Sequence, residues 1–166
     1  MIQGEWIKMY QKEFREFYRT IQDVAEHPVV LRMKKYPHHG DTSCYKHCMR
    51  VAYFNYIICK KLHLDAKSAA RAGMMHDLFL YDWHTHARET GERLHGFTHA
   101  EKAYKNAGKI FRLNRVERDV IRNHMWPVTL RSVPRTREGW MIVLTDKYSG
   151  LLETLDRRKK NKKNCI

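Results

Sequence analysis

The chain has 166 residues, of which 43% are hydrophobic, and a formal net charge of +14. This composition fits one globular domain with a single core. The sequence contains no run of about 18 apolar residues, the length needed to cross a bilayer. The N-terminal residues lack the basic and apolar regions of a secretory signal, so we expect a cytoplasmic protein. Four irregularly spaced cysteines do not form a disulfide framework, and we expect reduced thiols.

Few glycines and prolines, together with apolar residues repeating at helical spacing, predict an all-α domain of roughly six to eight helices. The first helix is expected from about Gly4 to Glu26. Asp41-Thr42-Ser43 is typical of a helix N-cap, and Leu64-Asp65 is expected to begin the next helix. The pattern therefore indicates a bundle of helices without a sheet.

Two segments, 79–97 and 128–138, are expected to be long connections, which in compact helical domains are often binding or lid elements. Residues 1–156 are predicted to form the domain, and residues 157–166 a basic C-terminal tail with six positive charges. A basic surface attracts polyanions such as nucleotides or nucleic acid. A solvated tail and ordinary surface charge are the simpler interpretation, which we favour.

Six potential metal ligands lie on five separated segments: His47, the pair His76 and Asp77, His99, His124 and Asp146. They offer imidazole nitrogens and carboxylate oxygens without a thiolate, a mixture that suits iron, manganese, nickel or zinc. A cysteine-rich zinc site at Cys44, His47 and Cys48 is a weaker alternative, because no second Cys/His pair completes it.

The helical register indicates that these residues face inward. His47, His76 and His124 each lie on an apolar stripe with helical spacing. His99 lies at the edge of such a stripe, and His95, one turn earlier, is its main rival. The apolar run Trp140–Leu144 predicts a helix buried on several sides, which leaves the direction of the Asp146 side chain open.

The local sequences around three of these positions are Tyr45–Ala52, Ala72–Asp77 and Ile142–Tyr148. A histidine, a His-Asp doublet and a distant aspartate in this order resemble the HD superfamily of metal-dependent phosphohydrolases. The resemblance spans most of the chain. It implies a helical HD-type domain that cleaves a phosphate ester or anhydride by attack of a metal-bound hydroxide.

The two further histidines, His99 and His124, resemble the branch of this superfamily that binds two metals. That branch includes symmetrical dinucleoside tetraphosphate hydrolases and cyclic dinucleotide phosphodiesterases. The resemblance implies one ion held by His47, His76, Asp77 and Asp146, and a second held by Asp77, His99 and His124. Asp77 is then the central catalytic residue. We expect two divalent transition-metal ions, with iron first and manganese, nickel or zinc as alternatives.

Many family members place a lysine or another polar group directly after the doublet, whereas this chain continues Leu78-Phe79-Leu80. Arg50 and Lys147 are the cations expected to contact substrate phosphate instead. The expected partner is a small phosphorylated substrate, preferably a nucleotide, whose base could stack on Tyr81, Trp83 or Trp126. Nucleic acid is a less favoured partner, a membrane is not expected, and the oligomeric state stays open.

Two other functions use the same features. A mixed-valent di-iron oxygenase of the HD fold would employ the same ligands and oxidise its substrate with dioxygen. A binding module would engage nucleic acid or an acidic partner through its basic surface and keep the metal site as a structural element. Oxygen uptake distinguishes the first from a hydrolase, and activity lost on chelation without loss of affinity distinguishes an enzyme from the second.

Overall fold

A computed structural model describes residues 2–38 and 42–163, with side chains for 11–38 and 42–155. These residues contain a short 3₁₀ helix, Arg32–Lys35, and eight α-helices: α1 (Ile2–Ala25), α2 (Pro28–Leu31), α3 (Cys44–Lys61), α4 (Ala66–Met75), α5 (Trp83–Thr90), α6 (His95–Ile110), α7 (Arg115–Asn123) and α8 (Arg137–Lys163). The all-α prediction is confirmed. No helix in the described ranges is long and apolar enough to cross a membrane.

Side-chain caps fix where the site-bearing helices begin. Ser43 accepts a hydrogen bond from the backbone of Lys46 at the start of α3, and Asp65 accepts one from Ser68 at the start of α4. Both satisfy backbone donors that have no partner inside the helix. These two caps were predicted from the sequence, whereas Asp41 lies outside the described residues. The two caps therefore define the first residues of the helices that carry His47 and lead to His76.

Helix α4 lies in the centre of the domain and packs against α1, α3, α7 and α8. Its contact with α3 is close because position 73 is a glycine: a Cβ there would lie 2.8 Å from the Cα of Ala52. The small residues before His76 predicted this approach. The buried core on both sides of α4 includes Phe17, Ile21, Val51, Met74, Leu78 and Ile121.

The connection expected at 79–97 is wrong in part, since it contains helix α5 and the start of α6. Helix α5 has no buried residue, so it lacks the apolar stripe that would have revealed it. It is held by its ends: Asp82 caps the N-terminus, and Gly91 ends it with a left-handed φ of 79°. Because α6 begins at His95, His99 lies one turn inside that helix. The connection at 128–138 is confirmed up to the start of α8.

The expectation that α8 is buried on several sides is also wrong. Its apolar residues Leu144, Tyr148, Leu151 and Leu155 are 41–62% exposed. The buried face combines Ile142 and Val143 with polar residues, namely Thr145, Ser149 and Glu153. Apolar residues normally face the core, but the buried face of α8 also carries Thr145, which donates to Asn55, and Glu153, which contacts His47 and His38. Residues 157–163 continue α8, and the domain boundary at 156 stays a prediction.

Candidate metal centre

The structure brings all six predicted ligands together. His47 comes from α3, the doublet His76 and Asp77 from the end of α4, His99 from α6, His124 from the residue after α7, and Asp146 from α8. All except Asp146 are buried, and the Asp146 side chain is 15% exposed. Five elements therefore meet at one polar centre.

The first half of the centre is built around Asp146. Its Oδ1 lies 3.0 Å from Nε2 of His47 and 3.6 Å from Nε2 of His76. The ligand atoms of these three residues all lie within 4.8 Å of one another, a spacing that could hold a metal ion. The sequence left the direction of this carboxylate open, and the structure points it into the centre.

The second half is built around His99 and His124. Their Nε2 atoms lie 3.0 Å apart, and both face Oδ1 of Asp77, at 3.3 Å and 3.6 Å. The other oxygen of Asp77, Oδ2, lies 3.4 Å from Nε2 of His76. Asp77 thus presents one oxygen to each half, as a bridging carboxylate would.

Backbone hydrogen bonds orient three of the histidines. Each donates from Nδ1 to a backbone carbonyl oxygen at 2.8 Å: His76 to that of Gly73, His99 to that of His95, and His124 to that of Ile121. A carbonyl oxygen only accepts, so each Nδ1 carries a proton and each ring presents Nε2 to the centre, where it offers a lone pair to a metal ion once any proton there is lost. This is the orientation that metal-binding histidines adopt.

Two atoms in the centre support a bound cation. Within the described part of the chain, Nε2 of His76 and Oδ1 of Asp77 are buried without a hydrogen-bond partner. Leaving such atoms unpaired is costly. In addition, Nε2 of His99 and Nε2 of His124 face each other at 3.0 Å, where a proton or a metal ion between them prevents repulsion of their lone pairs. The donor set and its unpaired atoms fit divalent metal ions.

The electrostatics keep the carboxylates ionised. Burial raises the pKa of Asp77, but His76, His38 and His99 outweigh it and hold this pKa well below its usual range. The same holds for Asp146 through His47 and His76. Burial, and next the charge of His76, lower the pKa of His124 to about 3, so its ring stays neutral. Burial lowers the pKa of His76, but Asp77, Cys48 and Asp146 outweigh it and raise this pKa well above its usual value, so metal binding at neutral pH must displace a proton from this ring.

His95, the rival of His99, does not face Asp77 in this arrangement. Its Nδ1 pairs with the hydroxyl of Tyr81 at 2.9 Å, and its ring stacks on that of His99 with centroids 4.5 Å apart. Burial, and then the proximity of His99, lower its pKa to about 4. The geometry favours His99 as the ligand and His95 as its packing support.

An open cavity of about 430 Å³ lies beside the centre. Asp77, His99, His124 and Asp146 reach its surface, while an apolar wall is formed by Trp83, Met125, Val128 and Leu151. Of the two cations expected at phosphate, Lys147 lines this cavity, with Nζ 3.9 Å from Asp146 Oδ2 and donating to the carbonyl of His124 at 3.2 Å. Arg50 instead pairs with Glu153 at 3.4 Å. Both roles stay predictions.

Sequence reasoning missed two residues of the centre, His38 and Glu153. His38 lies in the segment before α3, and its Nε2 lies 2.9 Å from Oδ2 of Asp77. Burial lowers its pKa, yet hydrogen bonds with Asp77 and Glu153 raise it to about 10. Glu153 lies two helical turns after Asp146, and this i+7 spacing was a signal that could have found it. No comparable signal marked His38.

Comparison with known proteins agrees with this geometry. The family model described as HD domain matches residues 44–151, well over half of the chain. The protein therefore belongs to the HD domain family. Membership implies binding of a divalent metal, and the grouped histidines and aspartates could hold it.

The chain is also similar to a Bacillus subtilis (strain 168) protein named "Putative phosphohydrolase YueE". The two are 29% identical over 91 residues, which is 52% of this chain and 48% of the relative. The chain thus spans about half the length of that curated relative. No solved structure gives a significant match.

Proposed function

We propose that the protein is a metal-dependent phosphohydrolase that cleaves a phosphate ester or anhydride of a small substrate, preferably a nucleotide. The observation that carries this proposal is the placement of Asp77, whose two oxygens face separate groups of histidines. Such a carboxylate can bridge two cations. The family and the name of the similar protein support a hydrolase of phosphate compounds.

His47, His76, Asp77 and Asp146 would hold one ion, and Asp77, His99 and His124 the other. Iron is the preferred metal, with manganese, nickel and zinc as alternatives. When bound, two such ions supply a nucleophilic hydroxide at neutral pH and neutralise charge on the phosphoryl oxygens. The chain needs no nucleophile of its own for this chemistry.

The residues of the cavity divide the work of binding substrate. Lys147 is a half-exposed cation beside Asp146, and because it is not held in a buried ion pair it can attract an anionic phosphate. Trp83 and the neighbouring apolar side chains offer a surface for a planar or apolar group. Arg50 is paired with Glu153 and does not line the cavity, so it contributes positive charge without direct contact.

A panel of phosphoesters tests the proposal. The protein is purified anaerobically without chelator, loaded with iron or manganese, and assayed with nitrophenyl phosphates, nucleotides and dinucleoside polyphosphates. We expect phosphate or nucleotide release that stops on chelation and returns with metal. Asp77→Ala is the inactive control. Absence of release from every phosphate substrate, for a fully loaded protein, contradicts the proposal.

The same preparation separates the other functions. Substrate-dependent oxygen uptake by the iron-loaded protein, without phosphate release, would identify an oxygenase. Retained affinity for nucleic acid after chelation, without any turnover, would identify a binding module. We expect neither, because the family and the name of the similar protein support a hydrolase, and the cavity beside Asp77 and Lys147 has the size of a small-molecule site and not of a nucleic-acid surface.

A further inference from the structure

Two buried side chains outside the matched family region contact the predicted ligands. Glu153 is 3% exposed and His38 is 8% exposed, and both lie beyond residues 44–151. His38 comes from the segment before α3, and Glu153 from the second half of α8. They reach the centre from the side of His47, the ligand that is oriented without a backbone carbonyl.

Glu153 holds His47. Both of its carboxylate oxygens lie 3.2 Å from Nδ1 of His47, so this ring donates to a carboxylate where the other three donate to carbonyls. Glu153 also contacts Nδ1 of His38 at 3.5 Å and a guanidinium nitrogen of Arg50 at 3.4 Å. A carboxylate behind a metal-binding imidazole fixes the ring and makes it a stronger ligand.

His38 holds Asp77. Its Nε2 lies 2.9 Å from Oδ2 of Asp77, and its ring stacks on His47 with centroids 3.7 Å apart and planes 21° apart. His38 therefore touches both a ligand of the first half and the carboxylate shared by both halves. One buried carboxylate, Glu153, supports both contacts.

We propose that Glu153 and His38 form a positioning pair for the metal centre, in which Glu153 orients His47 and His38 orients Asp77. The inference rests on metal binding by the site described above, and it does not depend on which substrate is cleaved. Because Glu153 contacts His47 directly and reaches Asp77 only through His38, its loss should weaken mainly the ion held by His47. Because His38 acts on the shared Asp77, its loss should weaken both.

Metal binding by the metal-free protein, titrated with Mn²⁺ or Co²⁺ alone, tests the pair. Glu153→Leu should bind the ion held by His47 10–100-fold more weakly and affect the other ion much less. Glu153→Gln keeps an acceptor oxygen of the kind that carbonyls give the other histidines, so it should restore most of the affinity. This rescue separates orientation from packing, since leucine and glutamine are similar in size.

Glu138→Leu is the matched control. Glu138 is a buried carboxylate on the same helix, 8% exposed, and accepts a hydrogen bond from the backbone of Asp65 at 2.9 Å. Replacing Glu138 by leucine removes a buried carboxylate acceptor, as Glu153→Leu does, but none of the predicted ligands loses a partner. We expect unchanged affinity for both ions. Circular dichroism melting of each variant shows whether it folds.

His38→Leu is a second, independent test of the proposal, and it can be used even if Glu153→Leu does not fold. We expect weaker binding of both ions with two equivalents still bound at high metal concentration, and a changed visible spectrum of the cobalt form. Unchanged affinity in both Glu153→Leu and His38→Leu would overturn the pair. Complete loss of one equivalent in His38→Leu would also overturn it, because His38 would then be a ligand.

A wild type that binds two ions but cleaves no phosphate compound would refute the proposed function and leave this comparison intact. If the wild type binds one ion, the same variants are compared on that ion, and unchanged affinity in Glu153→Leu overturns the inference. The two proposals therefore fail separately.

Discussion

Gly73→Ala tests how the α3–α4 contact builds the metal centre. The added Cβ would lie 2.8 Å from the Cα of Ala52 and 3.3 Å from Nδ2 of Asn55. A backbone atom at 2.8 Å cannot rotate away, so the two helices must separate. Alanine normally favours a helix by about 0.5–1 kcal/mol over glycine. Overpacking costs about 1–3 kcal/mol, and we expect a net destabilisation of about 1–2 kcal/mol.

Gly108→Ala is the matched control. Gly108 lies in α6, and a Cβ there would meet nothing within 4 Å. The helix preference then acts without a clash, so this variant should gain about 0.5–1 kcal/mol. Urea unfolding of the two variants and the wild type gives the free energies directly.

The clash also has a consequence for the site. The carbonyl of Gly73 accepts from Nδ1 of His76, and α3 carries His47, so separating the helices moves two predicted ligands apart. Gly73→Ala should bind metal more weakly, whereas Gly108→Ala should bind it normally. Stability equal to or above that of the wild type in Gly73→Ala would refute the close approach and the reasoning built on it.

Four further predictions follow from the site and the surface. Asp77→Ala should lose both ions and all turnover, and full activity in this variant would show that the site is assigned wrongly. His124→Ala should lose mainly the second ion by elemental analysis and slow turnover steeply, so a metal content equal to that of the wild type contradicts its place as a ligand. Deleting 157–166 should leave saturated turnover within about tenfold, because Glu153 is the last of the described side chains that contacts the centre, and should slow substrate capture at low salt, because it removes six positive charges. Three cysteines, Cys44, Cys48 and Cys59, are buried, and burial raises the pKa of each thiol, to about 12 for Cys59. A thiol-alkylating reagent applied to the folded protein at pH 8 should therefore leave these three cysteines unmodified, as peptide mass spectrometry can show.

Much of the centre was predictable because its residues carry a periodic signal. His47, His76 and His124 lie on apolar helical stripes, so their inward direction follows from burial of those stripes. Ser43 and Asp65 predicted the first residues of α3 and α4, because short polar side chains satisfy the first backbone donors of a helix. The small residues before His76 indicated the close packing of α3 and α4 for steric reasons.

The remaining features depend on tertiary contacts that local patterns do not encode. Helix α5 has no buried face, so only its caps reveal it. Helix α8 exposes three leucines and buries Glu153, whose carboxylate contacts the imidazole of His47, so the spacing of its apolar residues does not reveal the buried face. His38 reaches Asp77 from 39 positions away along the chain, and no spacing rule connects such residues.

The metal content of the wild-type protein tests the central claim most directly. Purified anaerobically without chelator and reconstituted with iron or manganese, the protein should contain about two metal ions per chain by elemental analysis, since the donors fall into two groups that share Asp77. Asp77→Ala, treated identically, should contain almost none. A wild-type ratio of one or below that does not rise on reconstitution would contradict the dinuclear centre.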